Sequence, residues 1–360
     1  MNTIMNKLIA IFISILYFSI AASAKDKVLL ITANNNEPLL IKPVASLMLL
    51  LKSTIAAKAV LGFSKEGRSV EAYYFPGTGS KRALVIGGVH GSELSSIEVA
   101  DSLIEYLKKG NQKYYSVIII PSLFPDNAAA AKNKPECIGG SMNYGRYTCN
   151  DAADPNRQMP SLGKPFSKDA KDHLGREIET ENKLLLGLIN LYQPQRIVNI
   201  HAIRDTAKAG IYADPGTDAN GIALGYESDS SLAVAMAKYV CNNDGYIPGN
   251  HIDSVPSSLY HYDPPVAKAG CLQQRNLKGS GLPNQRGAGV SLGGWASTAV
   301  YDPVNLANNR DAIRILTMEF PGYKRSSDYG TANEQTAIAK LTQVYAASIQ
   351  NIFLEKYFEE

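Results

Sequence analysis

The sequence predicts an α/β protein: a mixed, mostly parallel central sheet with helices on both faces. Three observations predict it. The runs Ala83–Val89, Val117–Ile120, Ile197–Ile200 and Ile313–Met318 are largely apolar instead of alternating, as strands covered on both faces are. Helical apolar spacings fall between these runs, the order that builds parallel sheets. The chain is also long enough, at 360 residues, to bury one large core.

Met1–Ala24 reads as a secretory signal peptide. Lys7 precedes the apolar stretch Leu8–Ile20, and Ala22-Ser23-Ala24 offers a small-residue cleavage site. That stretch is short against the ~20 residues a membrane span takes, and no later segment is long and apolar enough for one. Residues 25–360 are then expected to form a single domain of a secreted or periplasmic protein. A net charge of +3 gives no support for nucleic acid as a partner. Four cysteines in an exported chain suggest two disulfides, expected as Cys137–Cys149 and Cys241–Cys271 because each pair brackets a loop-like segment.

Val28–Ile31 and Val70–Phe75 read as further strands. After Ser92, a candidate cap, Leu94, Ile97, Ala100, Ile104 and Leu107 recur at helical spacing. Helices are also expected over Arg176–Tyr192, Ser231–Cys241 and Asn333–Tyr357. Two stretches, Ser122–Lys171 and Asp244–Asn309, are rich in loop-forming residues, and loops so long are usually functional.

The most informative residues follow the first apolar run. His90 and Glu93 stand three apart at a strand-to-helix junction, which places an imidazole and a carboxylate on one face as zinc ligands. His201 ends another strand, where ligands converge in α/β folds. The other three histidines, His173, His251 and His261, lie in polar or irregular stretches. Glu319, at the end of Ile313–Met318, is either the base of a hydrolytic reaction or a strand-end Glu that reaches solvent. Arg157 offers a fork for a carboxylate, with Asn156 adding a hydrogen bond. Arg146 is a candidate for stabilising an oxyanion. Taken singly, either arginine is more often a surface charge.

Together these residues resemble the zinc metallocarboxypeptidases of the carboxypeptidase A-like clan, above all the bacterial murein-peptide amidase branch. The resemblance runs from about Leu61 to Glu319. Leu61-Gly-Phe-Ser-Lys-Glu-Gly-Arg68 resembles the lead-in, a Gly-x-Ser followed by Gly-Arg. His90-Gly-Ser-Glu93 resembles His-x-x-Glu, Asp154-Pro-Asn-Arg157 resembles Asp-x-Asn-Arg, and Val290-Ser-Leu-Gly-Gly-Trp295 a loop near the active site. Arg146, Asn199-Ile-His201 and Thr317-Met-Glu319 follow the family's order. Phe124-Pro-Asp-Asn127 stands where the family has Asn-Pro-Asp-Gly, and Gln158-Met159 where Asn and an aromatic are usual.

The resemblance implies one zinc ion held by His90, Glu93 and His201, with Glu319 as general base and Arg146 on the oxyanion. It implies that Asn156 and Arg157 hold the free carboxylate of a peptide, most plausibly a murein peptide. Tyr301 is the candidate for the tyrosine that closes over substrate in digestive relatives. Two alternatives stay open: an aspartoacylase- or succinylglutamate desuccinylase-like hydrolase of N-acyl amino acids, and a non-catalytic peptide-binding relative. Nothing in the sequence sets the oligomeric state.

Overall fold

A computed structural model describes residues 29–31, 51–110, 112–134, 136, 145–147, 153–167, 169–220, 222–225, 227–250, 285–286 and 289–356. The signal-peptide residues, Cys137, Cys149, Cys271, His251 and His261 lie outside them. An eight-stranded sheet organises the fold. Its strands are β1 (Leu29–Ile31), β2 (Ala57–Phe63), β3 (Ser69–Phe75), β4 (Arg82–Ile86), β5 (Ser116–Ile120), β6 (Arg196–Ile203), β7 (Gly210–Ala213) and β8 (Arg314–Pro321). Their order across the sheet is β1-β2-β3-β5-β4-β6-β8-β7. The centre, β5-β4-β6-β8, is parallel throughout, and antiparallel pairs join β2 to β3, β3 to β5 and β8 to β7.

Alternate residues of each central strand enter two separate cores. On one face Val85, Ile119, Val198 and Met318 pack with Leu103 of α1 (Leu94–Lys109), and with residues of α4 (Glu227–Asn242) and α6 (Ala332–Ser348). On the other, Leu84, Ile118, Ile197 and Ile315 meet Leu185 and Ile189 of α3 (Thr180–Tyr192) and Trp295 of the short α5 (Leu292–Ala296). The apolar stripes expected of α1, α4 and α6 form much of the first core: Leu107, Leu232, Met236, Val240, Tyr345 and Phe353 all belong to it.

The structure adds and corrects elements. Strand β2 was not expected because Lys58, Gly62 and paired alanines dilute its apolar signal, yet Ala57, Ala59 and Leu61 are buried. Strand β7, four residues long, carries too short a pattern to read. The loop-like stretch after Ser122 contains α2 (Pro125–Lys132), which has proline in its first turn and four consecutive alanines. Ser92 does not cap α1: the cap position is Glu93, without a side-chain bond, and Ser92 Oγ is buried with no partner. α3 begins at Thr180 instead of Arg176, since Arg176 is drawn into a turn in which its Nε donates to Asp172 Oδ2 at 2.6 Å. α6 ends at Ser348 and passes into a π turn, Ile349–Phe353. Cys241 carries a free thiol, which does not support the expected link to Cys271.

The lead-in motif has a structural task. Ser64 Oγ and Arg68 Nη1 both donate to Asp126 Oδ1, at 2.6 and 2.8 Å, and the Glu66 amide donates to Asp126 Oδ2 at 3.0 Å. These bonds tie the β2–β3 hairpin to the first turn of α2. Among the described residues no helix is long and apolar enough to cross a membrane.

Candidate metal centre

Parallel strands deliver their C-terminal ends to one edge of the sheet, and the site forms there. Beyond β4 the chain turns at Gly88, whose φ of +62° favours glycine and where a Cβ would lie 2.9 Å from Ser122 Cα. That turn sets His90 against the start of α1, with Glu93 three residues on. His201 and Glu319 share the sheet face of Ile197 and Ile315, and pair directly across β6 and β8.

His90, Glu93 and His201 are nearly fully buried and bring one ligand atom each within 4.8 Å of one another. Both imidazoles turn Nδ1 toward the same carboxylate: His90 Nδ1 lies 2.8 Å from Glu93 Oε1 and His201 Nδ1 3.0 Å from Oε2. The Ala202 amide donates to Oε2 at 3.0 Å and Arg146 Nη1 to Oε1 at 2.8 Å. Each carboxylate oxygen thus has two partners. Burial alone would raise the Glu93 carboxyl, but the two imidazoles outweigh it and hold it well below the ordinary range.

The far nitrogens of the two rings are also held. His90 Nε2 lies 2.8 Å from Asp154 Oδ1, which additionally accepts the Asn156 amide at 2.9 Å. Asp154 is outside the group of ligand atoms but fixes the ring: an acceptor at Nε2 keeps a proton there, so that Nδ1 is the nitrogen a cation would take by displacing its proton. Burial lowers His90, and the charge of Glu93 with the hydrogen bonds to Asp154 and Glu93 overcomes it, so its pKa is raised; in His201 burial wins and the pKa falls. Asn156 Oδ1 accepts the Leu292 amide at 2.9 Å, which turns Asn156 Nδ2 toward His201 Nε2 at 3.3 Å.

Glu319 lies beside this group. Burial and the negative charge of Glu93 push its carboxyl up to about 8, against the opposing pull of His90 and Arg146. A carboxylate whose proton affinity is raised in this way, beside buried imidazoles, has the character of a group that takes up and returns protons. Arg146 is also 3.7 Å from Asp154 Oδ2, so its guanidinium bridges two carboxylates. Arg157 Nη1 donates to the Asn156 carbonyl at 2.6 Å, and its own carbonyl accepts from Arg176 Nη2 at 3.1 Å.

The fold therefore gathers His90, Glu93, His201, Arg146 and Asn156 into one network, with Glu319 on the adjoining strand and Arg157 at the rim. Tyr301, 60% exposed, does not join the hydrogen-bonded group. Sequence reasoning overlooked what Asp154 does, although it opens the Asp-Pro-Asn-Arg run; a carboxylate there signalled an orienting acceptor. Two imidazole nitrogens and a carboxylate oxygen at this separation suit a borderline-soft divalent cation such as zinc.

No protein-family model matches the chain, and no curated protein matches it. It is similar to several solved structures. They include a metallo-carboxypeptidase of Pseudomonas aeruginosa, at 16% identity and a TM-score of 0.47 over 85% of this chain and 67% of that one. The murein-tripeptide amidase of Escherichia coli O157 gives 15% identity and a TM-score of 0.38 over 79% of this chain and 91% of that one. Carboxypeptidase A of Helicoverpa armigera gives 14% and 0.43 over 87% and 75%. These are likenesses of overall shape; the chemistry of the site is read from its own residues.

Proposed function

We propose that the chain is a secreted or periplasmic zinc hydrolase that cuts a peptide bond beside a free carboxylate, with murein peptides as substrate. The observation that carries the reading is that buried His90, Glu93 and His201 each bring a ligand atom within 4.8 Å of one another. Zinc held by these three side chains would polarise a carbonyl and lower the pKa of water toward ~7.

The chain's own residues supply the rest. Glu319 accepts a proton at its carboxylate and returns it to the leaving amine. Arg146 neutralises the charge that grows on the substrate carbonyl oxygen. Arg157, with Asn156, holds the free carboxylate and so directs cleavage to a peptide terminus. The murein preference is supported by the family resemblance and by the signal-peptide pattern, since export from a bacterial cell would bring the chain to the cell wall.

The test is a digest of murein tripeptides, ordinary peptides and N-acyl amino acids with zinc-loaded and chelator-treated protein, read by product mass. Release of a terminal residue from murein peptides by the zinc form alone is the expected result. Turnover confined to N-acyl amino acids would move the chain to the aspartoacylase-like class. Binding of muropeptides without product would make it a binding module, and chelator-insensitive cleavage would remove the metal from the reaction.

A further inference from the structure

Arg146 approaches the centre on a segment, Gly145–Tyr147, that belongs to no helix or strand. Something must hold it, because a guanidinium displaced by an ångström stabilises a developing charge far less well. The contacts around that segment lead to Asn127, in the first turn of α2.

Asn127 Nδ2 donates to the Tyr147 carbonyl at 3.2 Å, on the C-terminal side of Arg146. On the N-terminal side, Gly145 has a φ of +81°, and a Cβ there would lie 2.5 Å from the Asn127 carbonyl oxygen. Only glycine fits so close to that carbonyl. The same residue also abuts the metal motif: a Cβ on Gly91 would lie 2.3 Å from the Asn127 carbonyl carbon and 2.4 Å from its Cβ. Asn127 is 6% exposed, and its helix is anchored through Asp126 to Ser64 and Arg68. It stands where the resembling family carries glycine, which has no side-chain amide to offer.

We infer that Asn127 is a positioning residue for Arg146: it grips the segment on both sides of the arginine, against the His90–Glu93 turn, and so sets where the guanidinium meets Glu93 and Asp154. The inference rests on the proposed hydrolase for its kinetic consequence and on geometry alone for its structural one. Asn127 touches no reacting atom and acts through Arg146.

Two measurements test it, on zinc-loaded full chain. The first compares kcat and KM on the cleaved peptide for wild type, Asn127→Ala, Arg146→Ala and the double variant. Asn127→Ala should lower kcat about tenfold with KM nearly unchanged, and the double variant should be no slower than Arg146→Ala. Losses that multiply in the double variant, or no loss in Asn127→Ala, overturn the inference. The second follows the guanidinium Nε–H signal of Arg146 by NMR, assigned through its disappearance in Arg146→Lys. Asn127→Ala should broaden or shift that signal, and an unchanged signal overturns the inference. Should wild type cleave no peptide, the proposed function falls while the NMR arm still decides the role of Asn127. If the alanine variant fails to fold, Asn127→Asp, which keeps the shape and removes the donor, takes its place in both arms.

Discussion

Asp154 allows the ligand geometry to be tested without touching a ligand. Its Oδ1 accepts a hydrogen bond from His90 Nε2 at 2.8 Å, and with a proton kept at Nε2 it is the Nδ1 proton that a cation would displace. Outer partners of this kind are worth roughly 10–100-fold in metal affinity, or about 1.4–2.7 kcal/mol. Asp154→Asn keeps the shape and an acceptor oxygen but removes the charge. A charge-assisted bond is about twice as strong as a neutral one, so the Asn variant should lose roughly tenfold in zinc affinity and Asp154→Ala closer to a hundredfold.

Zinc Kd would be measured by competition with a chromophoric chelator at alkaline pH, because Glu93 and Asp154 raise the His90 imidazole above its ordinary pKa of about 6.5 and protons compete for it near neutrality. Thermal melts would confirm that each variant folds. The expected ranking is wild type tightest, Asn intermediate, Ala weakest. Unchanged affinity in both variants would refute the orienting role, and with it the assignment of His90 Nδ1 as the ligand atom.

Two further carboxyls carry predictions of their own. Glu319→Gln should cut turnover by roughly 10²–10⁴, the ordinary worth of a general acid–base group, and leave zinc Kd unchanged; full activity in that variant would remove Glu319 from the reaction. Glu181, 3% exposed on the first turn of α3, has an unpartnered Oε2, and burial with help from Asp126 and Glu179 pushes its carboxyl from 4.5 up to about 7. Between those values the folded protein keeps a proton that the unfolded chain has lost, so stability falls as pH rises through that window and is level above it, by about 3 kcal/mol in total. Glu181→Gln should remove that contribution in urea unfolding series, so that the wild-type-to-variant difference changes across the window; a difference that stays constant with pH would show the carboxyl already ionised in the fold.

Several features were legible in the chain because their causes are local. Largely apolar runs announced the central strands β4, β5, β6 and β8, and three-residue spacing is enough to bring His90 and Glu93 together at a helix start. Strand ends announced His201 and Glu319 as candidates for the same edge. Weak or short patterns hid β2, β7 and α2, and burial of Ser92 without any bond to the helix shows that a capping residue type does not make a cap.

Pairings across long chain separations were decided only by the tertiary structure. His90 meets Asp154 across 64 residues and Glu93 meets His201 across 108, and no spacing rule reaches that far. Strand register put Glu319 directly opposite His201, where a slip of one residue would have turned it into the other core. Packing of α2 decided where Arg146 sits. The chain thus specifies which residue types stand at the ends of its strands, while folding chooses their partners, because a side chain's electrostatic surroundings depend on what the rest of the molecule brings within a few ångströms.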